Sequence, residues 1–214
     1  LPLKRDARTV LNLRSDQNII LLMPASRPQE LRYILPTFMR AAKKLQQKYP
    51  SLVVYIPSCR DAFDEIFKKA FRKYQVKGLV ISQKDSAKLK PYIYSLTKIA
   101  LCKSGTVNME LALYGIPQIV GYRVSRVTAF IAKKILNFKV RFISPVNLLV
   151  NKLIIPEFVQ KEFDENKIFH KSCRILERKS EKIKIQKGYT FLRKELGEEG
   201  VVQKTAKEIL NSII

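Results

Sequence analysis

Short apolar runs alternate along this chain with longer segments whose apolar positions recur at helical spacing. Leu31, Ile34 and Phe38 illustrate the second pattern, because they share one face of a helix that ends near Pro50. The pattern predicts strands at 18–23, 52–56, 77–82, 99–103 and 118–122, and helices at 28–49, 63–74, 86–96, after Thr106, and at 124–136. Such alternation is typical of βαβ units, so we predict an α/β fold with a parallel sheet flanked by helices.

The pattern changes from Glu157 onward, where the segments become helical and rich in Lys, Arg and Glu. Helices are predicted at 171–187, 190–196 and 201–213. We therefore expect a sheet domain over residues 1–160 and a helical tail over residues 161–214. The tail is expected to pack on the sheet domain or on another domain.

A Ser-Gly-Thr turn connects the predicted strand at 99–103 to the helix that follows it. The backbone N–H groups at a helix start have no intrahelical acceptors and lie at the positive end of the dipole, so they attract anions. Ser104 and Thr106 add hydroxyl donors, and Gly105 allows a phosphate to approach the backbone. Glu110 lies one turn further on, where a carboxylate can accept the two hydroxyls of a ribose. The turn therefore predicts a nucleotide site; the alternative is a capped helix with a solvated glutamate.

A second turn of the same kind contains Ser26 and Arg27, between the strand at 18–23 and the next helix. Pro28 is suited to the first position of that helix, where its missing N–H has no cost. Ligands of parallel sheets bind outside the carboxyl ends of the strands, and both turns follow such ends. We therefore expect both turns to face one crevice.

Charge is the unusual property of the composition, because 41 Lys and Arg stand against 18 Asp and Glu, giving a net charge of +23. This excess predicts an anionic partner, which can be nucleic acid, an anionic membrane surface or a phosphorylated ligand. The three cysteines are Cys59, Cys102 and Cys173; they form no C-x-x-C pair and are typical of a reducing compartment. His170 is the single histidine, so no metal centre is expected.

The interval between Glu110 and Glu157 contains no acidic residue. Its seven cations are Arg123, Arg126, Lys133, Lys134, Lys139, Arg141 and Lys152. Several alternate with apolar residues in a basic amphipathic helix that can rest on an anionic lipid surface, each cation contributing on the order of 1 kcal/mol. The alternative is a solvated basic face. RNA binding is not expected, because no RNA-binding module signature accompanies the charge.

Several blocks of the sequence together resemble the lipid-A-disaccharide synthase family. They are S-G-T-V-N-M-E at 104–110, G-I-P-Q-I-V-G-Y-R-V at 115–124, S-P-V-N-L-L at 144–149, L-L-M-P-A-S-R at 21–27 and I-P-E-F-V-Q at 155–160. The V-G-Y-R and S-P-V-N-L-L blocks are fairly specific, whereas S-G-T-x-x-x-E is shared with many nucleotide-sugar enzymes. The similarity covers nearly the whole chain, but only the second half of the family's usual length.

This resemblance implies the GT-B architecture, in which two Rossmann-like domains face a cleft, and the present chain would be the C-terminal, UDP-binding one. The family joins UDP-2,3-diacylglucosamine to 2,3-diacylglucosamine 1-phosphate and releases UDP, a hexosyl transfer in lipid A biosynthesis. The implied UDP-binding residues are Ser26, Arg27, Ser104, Gly105, Thr106, Glu110 and Gln160, and the positions matched near the reacting centre are Arg123 and Asn147. No cofactor or metal is expected, since the protein itself supplies the donors and the sequence has no Asp-x-Asp motif.

The resemblance also implies partners: the two diacylglucosamine substrates, an anionic membrane surface, a missing N-terminal domain and a homodimer, with no nucleic acid. It implies a peripheral enzyme on the cytoplasmic face of the inner membrane. Ala25 departs from the family, which commonly has Gly there, and narrows the approach to the backbone only slightly. The family's proposed catalytic carboxylate lies in the first half, so this chain alone is expected to bind UDP but to transfer little sugar. The rival interpretations are another UDP-sugar transferase or epimerase, and a non-catalytic basic module that binds membrane or RNA.

Overall fold

The computed structural model describes residues 1–125 and 141–197, together with 206 and 208–211. Within these residues the strands are β1 (Asn18–Met23), β2 (Leu52–Pro57), β3 (Gly78–Ile81), β4 (Thr97–Lys103), β5 (Gln118–Tyr122) and β6 (Glu157–Val159). The helices are α1 (Lys4–Val10), α2 (Pro28–Lys48), α3 (Asp64–Tyr74), α4 (Gln83–Leu96), α5 (Val107–Leu113), α6 (Pro145–Val150), α7 (Glu165–Glu177) and α8 (Lys179–Leu196). Two short 3-10 turns lie at Asp61–Phe63 and Gln160–Glu162.

The six strands form one parallel sheet in the order β3-β2-β1-β4-β5-β6. The chain therefore winds outward in one direction from β1 through β2 to β3, and then returns to the middle to continue with β4. The order reverses between β1 and β4, which makes this pair the topological switch point of a doubly wound sheet. The predicted α/β fold with a Rossmann-like parallel sheet is confirmed.

The centre of the sheet is apolar because helices cover both faces of a parallel sheet. The four middle residues of β1 are fully buried, and β4 likewise buries the run from Ile99 to Cys102. Helix α2 lays its predicted apolar face, including Ile34 and Phe38, into this core. From β1 to β5, the strand and helix assignments agree with the sequence pattern to within a few residues.

A close contact explains one glycine of the V-G-Y-R block. A Cβ atom on Gly121 of β5 would lie 2.1 Å from the Phe163 ring and 2.8 Å from the Phe38 ring. Those two rings pack edge to face at 5.0 Å between centroids. Glycine at this position therefore lets the segment after β6 pack directly on the sheet.

The helices that follow residue 160 lie against the sheet domain. Helix α7 runs beside α2, where Arg40 forms an ion pair with Glu165 at 3.3 Å and Lys48 forms one with Glu177 at 2.6 Å. Helix α8 contacts α5 and the loop after it, because Tyr189 donates to the carbonyl of Ile116 at 2.9 Å. The boundary that the sequence analysis places after residue 160 stays a prediction.

The helix boundary predicted between residues 187 and 190 is wrong. The break between α7 and α8 lies at Arg178, whose backbone is extended. Gly188 is inside α8, where a Cβ atom would come within 2.3 Å of Ile154, so this glycine marks a close contact. Helices α1 and α6 and strand β6 are not predicted by the sequence pattern. The helix predicted at 124–136 lies almost wholly outside the described residues, and the one at 201–213 is described, as helix, only at 206 and 208–211.

Candidate nucleotide-binding site

The two predicted turns lie side by side at the switch point of the sheet. Strand β1 pairs with β4 in parallel, and Met23 at the end of β1 is in register with Cys102, one residue before the end of β4. The turn at 24–27, here called the β1 turn, and the turn at 104–106, the β4 turn, therefore leave the same edge of adjacent strands. This confirms that both turns lie at the same edge of the sheet, at the carboxyl ends of adjacent strands; that they face one crevice stays a prediction.

The β1 turn presents its polar side chains to solvent. Ser26 and Arg27 are both exposed, and Arg27 occupies the N-cap position of α2 without making a side-chain capping bond. Pro28 follows at the start of a helix of 21 residues. An exposed guanidinium next to an uncapped helix start is suited to an anionic ligand, because charge and orphan N–H groups act at the same place.

The β4 turn is arranged differently, because two of its predicted donors are bonded within the protein. The Ser104 hydroxyl donates to the carbonyl of Ile143, and the Gly105 N–H donates to Asn108 Oδ1 at 2.8 Å. Thr106 is exposed. Among the described residues, a Cβ atom on Gly105 would meet nothing within 4 Å, so none of them fills the space next to this glycine. The turn is thus held from inside and offers Thr106 to the crevice.

Asn108 is the residue that holds the β4 turn, and the sequence analysis missed it. Its side chain is fully buried, and its Nδ2 donates to the Lys103 carbonyl at 3.2 Å and to Gln118 Oε1 at 3.1 Å. Gln118 Nε2 in turn bonds the Tyr189 hydroxyl of α8 at 3.1 Å. Cys102 Sγ joins the cluster as an acceptor from Asn108, and burial raises the pKa of this thiol to about 12, so it stays protonated. Buried polar networks that are fully satisfied fix a single geometry.

Glu110, the predicted ribose ligand, lies on the outer side of α5. Its carboxylate accepts from Lys90 of α4 at 2.9 Å, and the two side chains are 34% and 42% exposed. Tyr94 lies nearby with a buried hydroxyl that has no hydrogen-bond partner among the described residues. Burial and the negative charge of Glu110 raise the pKa of Tyr94, which therefore remains a neutral donor. Glu110 is accessible, but a ribose would have to compete with Lys90.

Arg123 and Gln160 lie at the neighbouring ends of β5 and β6. The Arg123 guanidinium donates to the carbonyls of Gln160, at 3.1 Å, and Phe163, and it stacks on the Phe163 ring at 5.2 Å. Gln160 has a left-handed backbone, with φ of 53°. In this structure Arg123 therefore fixes the segment in which Gln160 lies, and its catalytic role stays a prediction.

Asn147 does not reach the crevice. It is fully buried, and its amide accepts from the N–H groups of Ile154 and Ile155 and donates to Ile155 O at 2.8 Å and to Glu157 at 2.7 Å. In this structure the side chain of Asn147 therefore positions the loop around it. Its catalytic role stays a prediction.

Glu157, which was not predicted as a site residue, holds together the segment between residues 143 and 157. Its carboxylate accepts from Ile143 N at 2.7 Å, from both the N–H and the hydroxyl of Ser144, and from Asn147. The Ile143 carbonyl then accepts from Ser104 of the β4 turn. One sequence signal pointed to it, since Glu157 is the first acid after a long acid-free interval.

The described residues contain neither a cluster of metal ligands nor a helix that could cross a membrane. No group of three or more His, Cys, Asp or Glu side chains in residues 1–125 and 141–197 is placed to hold a metal ion. Over those same described residues, no helix combines the length and apolarity needed to cross a bilayer.

The reversed strand order and the paired turns define a Rossmann-like domain, the kind of domain from which the GT-B architecture is built. The model of the lipid-A-disaccharide synthetase family matches residues 2–213, and the chain belongs to that family. The lipid-A-disaccharide synthase of Prochlorococcus marinus is 44% identical over 211 residues, which are 99% of this chain and 54% of the relative. The chain spans about half the length of the curated relatives it matches.

Solved structures share the fold at low identity. WaaG, a glycosyltransferase involved in lipopolysaccharide biosynthesis, superposes with a TM-score of 0.59 at 12% identity, covering 93% of this chain and 48% of that one. The C-terminal CMP-Kdo binding domain of WaaA from Acinetobacter baumannii gives 0.57 at 10% identity, covering 91% of this chain and 96% of that one. The second match shows that this fold occurs as a C-terminal domain of comparable extent.

Proposed function

We propose that this chain is the nucleotide-binding half of a lipid-A-disaccharide synthase. The complete enzyme would transfer the sugar of UDP-2,3-diacylglucosamine to 2,3-diacylglucosamine 1-phosphate and release UDP. The observation that carries the proposal is the family match over residues 2–213 of a chain whose β1 and β4 turns meet at the switch point. Ligands of doubly wound sheets bind at that point.

In the proposed complex the diphosphate lies between the two turns. Arg27 and Ser26 contact it from the β1 turn, and Thr106 contacts it from the β4 turn. Ser104 and Gly105 shape the second turn, because their donors are already bonded to Ile143 and Asn108. The space next to Gly105, which none of the described residues fills, lets the phosphate come close to the backbone.

The nucleoside end of UDP would extend along α5 toward Glu110. That carboxylate accepts the ribose hydroxyls after exchanging its bond to Lys90. The nearby Tyr94 hydroxyl, which lacks a partner among the described residues, can donate to the displaced carboxylate oxygen. Gln160 would contact the ligand from the end of β6.

The chemistry assigned to this half is stabilisation of the leaving group in an inverting glycosyl transfer. Negative charge develops on the diphosphate as the glycosidic bond to UDP breaks, and fixed donors aimed at that charge lower the barrier. Arg27, the helix-start N–H groups and the Thr106 hydroxyl supply such donors without a metal ion. Arg123 and Asn147 support the loops that flank the site.

The acceptor site and the catalytic carboxylate are proposed to lie in an N-terminal domain, since the chain spans about half the length of its relatives. The isolated chain is therefore expected to bind UDP and to transfer little sugar. We further propose that the basic stretch between Glu110 and Glu157, with the net charge of +23, attracts the enzyme to the anionic cytoplasmic face of the inner membrane, where it can act as a homodimer.

The proposal is tested by calorimetric titration of the chain with UDP, CDP, ADP and uridine. UDP is expected to bind more tightly than the other diphosphates, because only it offers a uracil ring, and more tightly than uridine, because only it reaches both turns. Equal affinity for all three diphosphates would argue against a uridine nucleotide as the ligand. Absence of UDP binding would contradict the proposal.

The membrane part of the proposal needs a separate measurement. Co-sedimentation with vesicles should require anionic lipid and should weaken as salt concentration rises, because the attraction is screened. Equal pelleting with neutral vesicles would contradict the electrostatic attraction.

A further inference from the structure

An ion pair between α2 and the end of β4 lies beside the two turns at the switch point. Lys103 Nζ lies 2.8 and 2.9 Å from the two carboxylate oxygens of Glu30. Lys103 is the last residue of β4, immediately before Ser104, and Glu30 lies in the first turn of α2, three residues after Arg27. The two side chains are 20% and 13% exposed, so the pair is largely sheltered from solvent.

The position of Glu30 raises an electrostatic question for any anionic ligand. A carboxylate in the first turn of a helix is favoured by the dipole, but it would repel a diphosphate bound at the same helix start. Its field extends across this edge of the sheet, since burial and the Glu30 charge raise the pKa of Tyr122 at the end of β5 while Arg27 opposes them. Lys103 removes this repulsion by neutralising Glu30.

Lys103 can also donate a hydrogen bond to a ligand, besides neutralising Glu30. An ammonium group carries three N–H donors, and the two contacts with Glu30 leave at least one for another acceptor. The residue that follows it, Ser104, has its hydroxyl committed to Ile143. The ammonium is therefore the cationic group directly before the β4 turn, as Arg27 is the cationic group of the β1 turn.

We infer that Lys103 is a diphosphate-binding residue and that Glu30 is its counter-ion while the crevice is empty. This inference rests on the proposed function, because the ligand is the diphosphate of a nucleotide. On binding, the ammonium shares its donors between Glu30 and a phosphate oxygen. The two turns then each contribute one cation to the same ligand.

The strand that carries Lys103 also supplies the control. Lys98 lies near the other end of β4, exposed, at the opposite edge of the sheet. Lys103→Met and Lys98→Met remove the same charge from the same strand, so they change the net charge equally. Calorimetry should show that Lys103→Met lowers UDP affinity about tenfold or more, as for loss of a charged hydrogen bond, while Lys98→Met does not. Uridine affinity should be the same in all three proteins, which also shows that the variants are folded.

A double variant separates contact with the ligand from simple neutralisation. Glu30→Gln alone should keep or increase UDP affinity, because the repulsion disappears. If Lys103 contacts the phosphate, Glu30→Gln/Lys103→Met should stay at least about fivefold weaker than the wild type. Recovery of wild-type affinity in the double variant would overturn the inference, since neutralisation would then be the whole role of Lys103.

The outcomes also distinguish this inference from the proposed function. UDP binding that Lys103→Met leaves unchanged would overturn the inference alone. Failure of the wild-type chain to bind UDP would overturn the proposed function and this inference with it.

Discussion

The β1 and β4 turns occupy equivalent places on adjacent strands, yet they are built in opposite ways. The β1 turn exposes Ser26 and Arg27, makes no side-chain cap and begins a helix of 21 residues. The β4 turn commits Ser104 and Gly105 to internal hydrogen bonds and begins a helix of 7 residues. The first turn supplies accessible charge, and the second supplies a fixed shape.

Two strand-to-helix turns with similar sequence signals can therefore serve separate physical tasks. Disturbing a turn that is held by a buried network should lower the free energy of unfolding, because buried groups lose their hydrogen-bond partners. Disturbing a turn that only presents side chains to solvent should instead lower the affinity for the ligand.

Asn108→Ala should break the fixed turn. The substitution removes the acceptor of Gly105 N–H and the donor to Gln118 and the Lys103 carbonyl, and the Asn108 side chain itself is fully buried. With about 1–3 kcal/mol for each buried group left unsatisfied, we expect the free energy of unfolding to fall by about 3 kcal/mol. Chemical denaturation measures it.

The matched control for that variant is Asn166→Ala, which removes an exposed asparagine from α7. It should change the free energy of unfolding by less than about 0.5 kcal/mol. Equal, small losses in both variants would show that the β4 turn does not depend on Asn108.

Thr106→Val and Ser104→Ala should separate ligand binding from structural support within the β4 turn. Thr106 is exposed, and its hydroxyl donates to none of the described residues, so its loss should lower UDP affinity about tenfold. The Ser104 hydroxyl is bonded to Ile143, so its loss should change UDP affinity less than about twofold and act mainly on stability. Calorimetry and thermal melting of the two variants give both quantities, and the reverse order of affinities would contradict the assignment.

Glu181→Gln should have the smallest effect, because it acts on the helix that supports the β4 turn from a distance. Hydrogen bonding to Lys171, supported by the charge of Arg174, holds the pKa of Glu181 below its ordinary value of 4.5. A lowered pKa means that the stabilisation is present above about pH 4.5 and is lost as pH falls through the folded-state pKa.

Wild type should therefore exceed Glu181→Gln in free energy of unfolding by about 1 kcal/mol or less at about pH 7, with a smaller difference at about pH 3. Denaturation curves at the two pH values measure it. A difference that grows as pH falls would have the wrong sign for this ion pair.

Much of the fold could be predicted from the sequence because local signals dominate there. Buried strands such as β1 and β4 are continuous apolar runs, and Pro28 marks the start of α2. The shared edge of the two turns followed from the geometry of parallel sheets. The break at Arg178 could not be predicted, because Gly188 looks like a helix end until the packing against Ile154 is known.

The site was harder to predict from the sequence, because its contacts join residues that lie far apart along the chain. Glu30 and Lys103 are 73 positions apart and meet only through the β1–β4 register. A motif match at Asn147 identifies a position but carries no information about burial, and this side chain proves to be enclosed and fully bonded. Asn108 lies inside the S-G-T-V-N block, but only the structure shows that its amide fixes the turn.

The central claim is that both turns bind one diphosphate, and calorimetric titration of UDP and uridine into wild type, Arg27→Ala and Arg32→Ala tests it most directly. Arg32 is an exposed arginine further along α2 and serves as the matched control. Arg27→Ala should weaken UDP about tenfold or more and leave uridine unchanged, because a charged hydrogen bond to phosphate is lost. Arg32→Ala should alter neither affinity. Wild-type UDP affinity in Arg27→Ala would contradict the account.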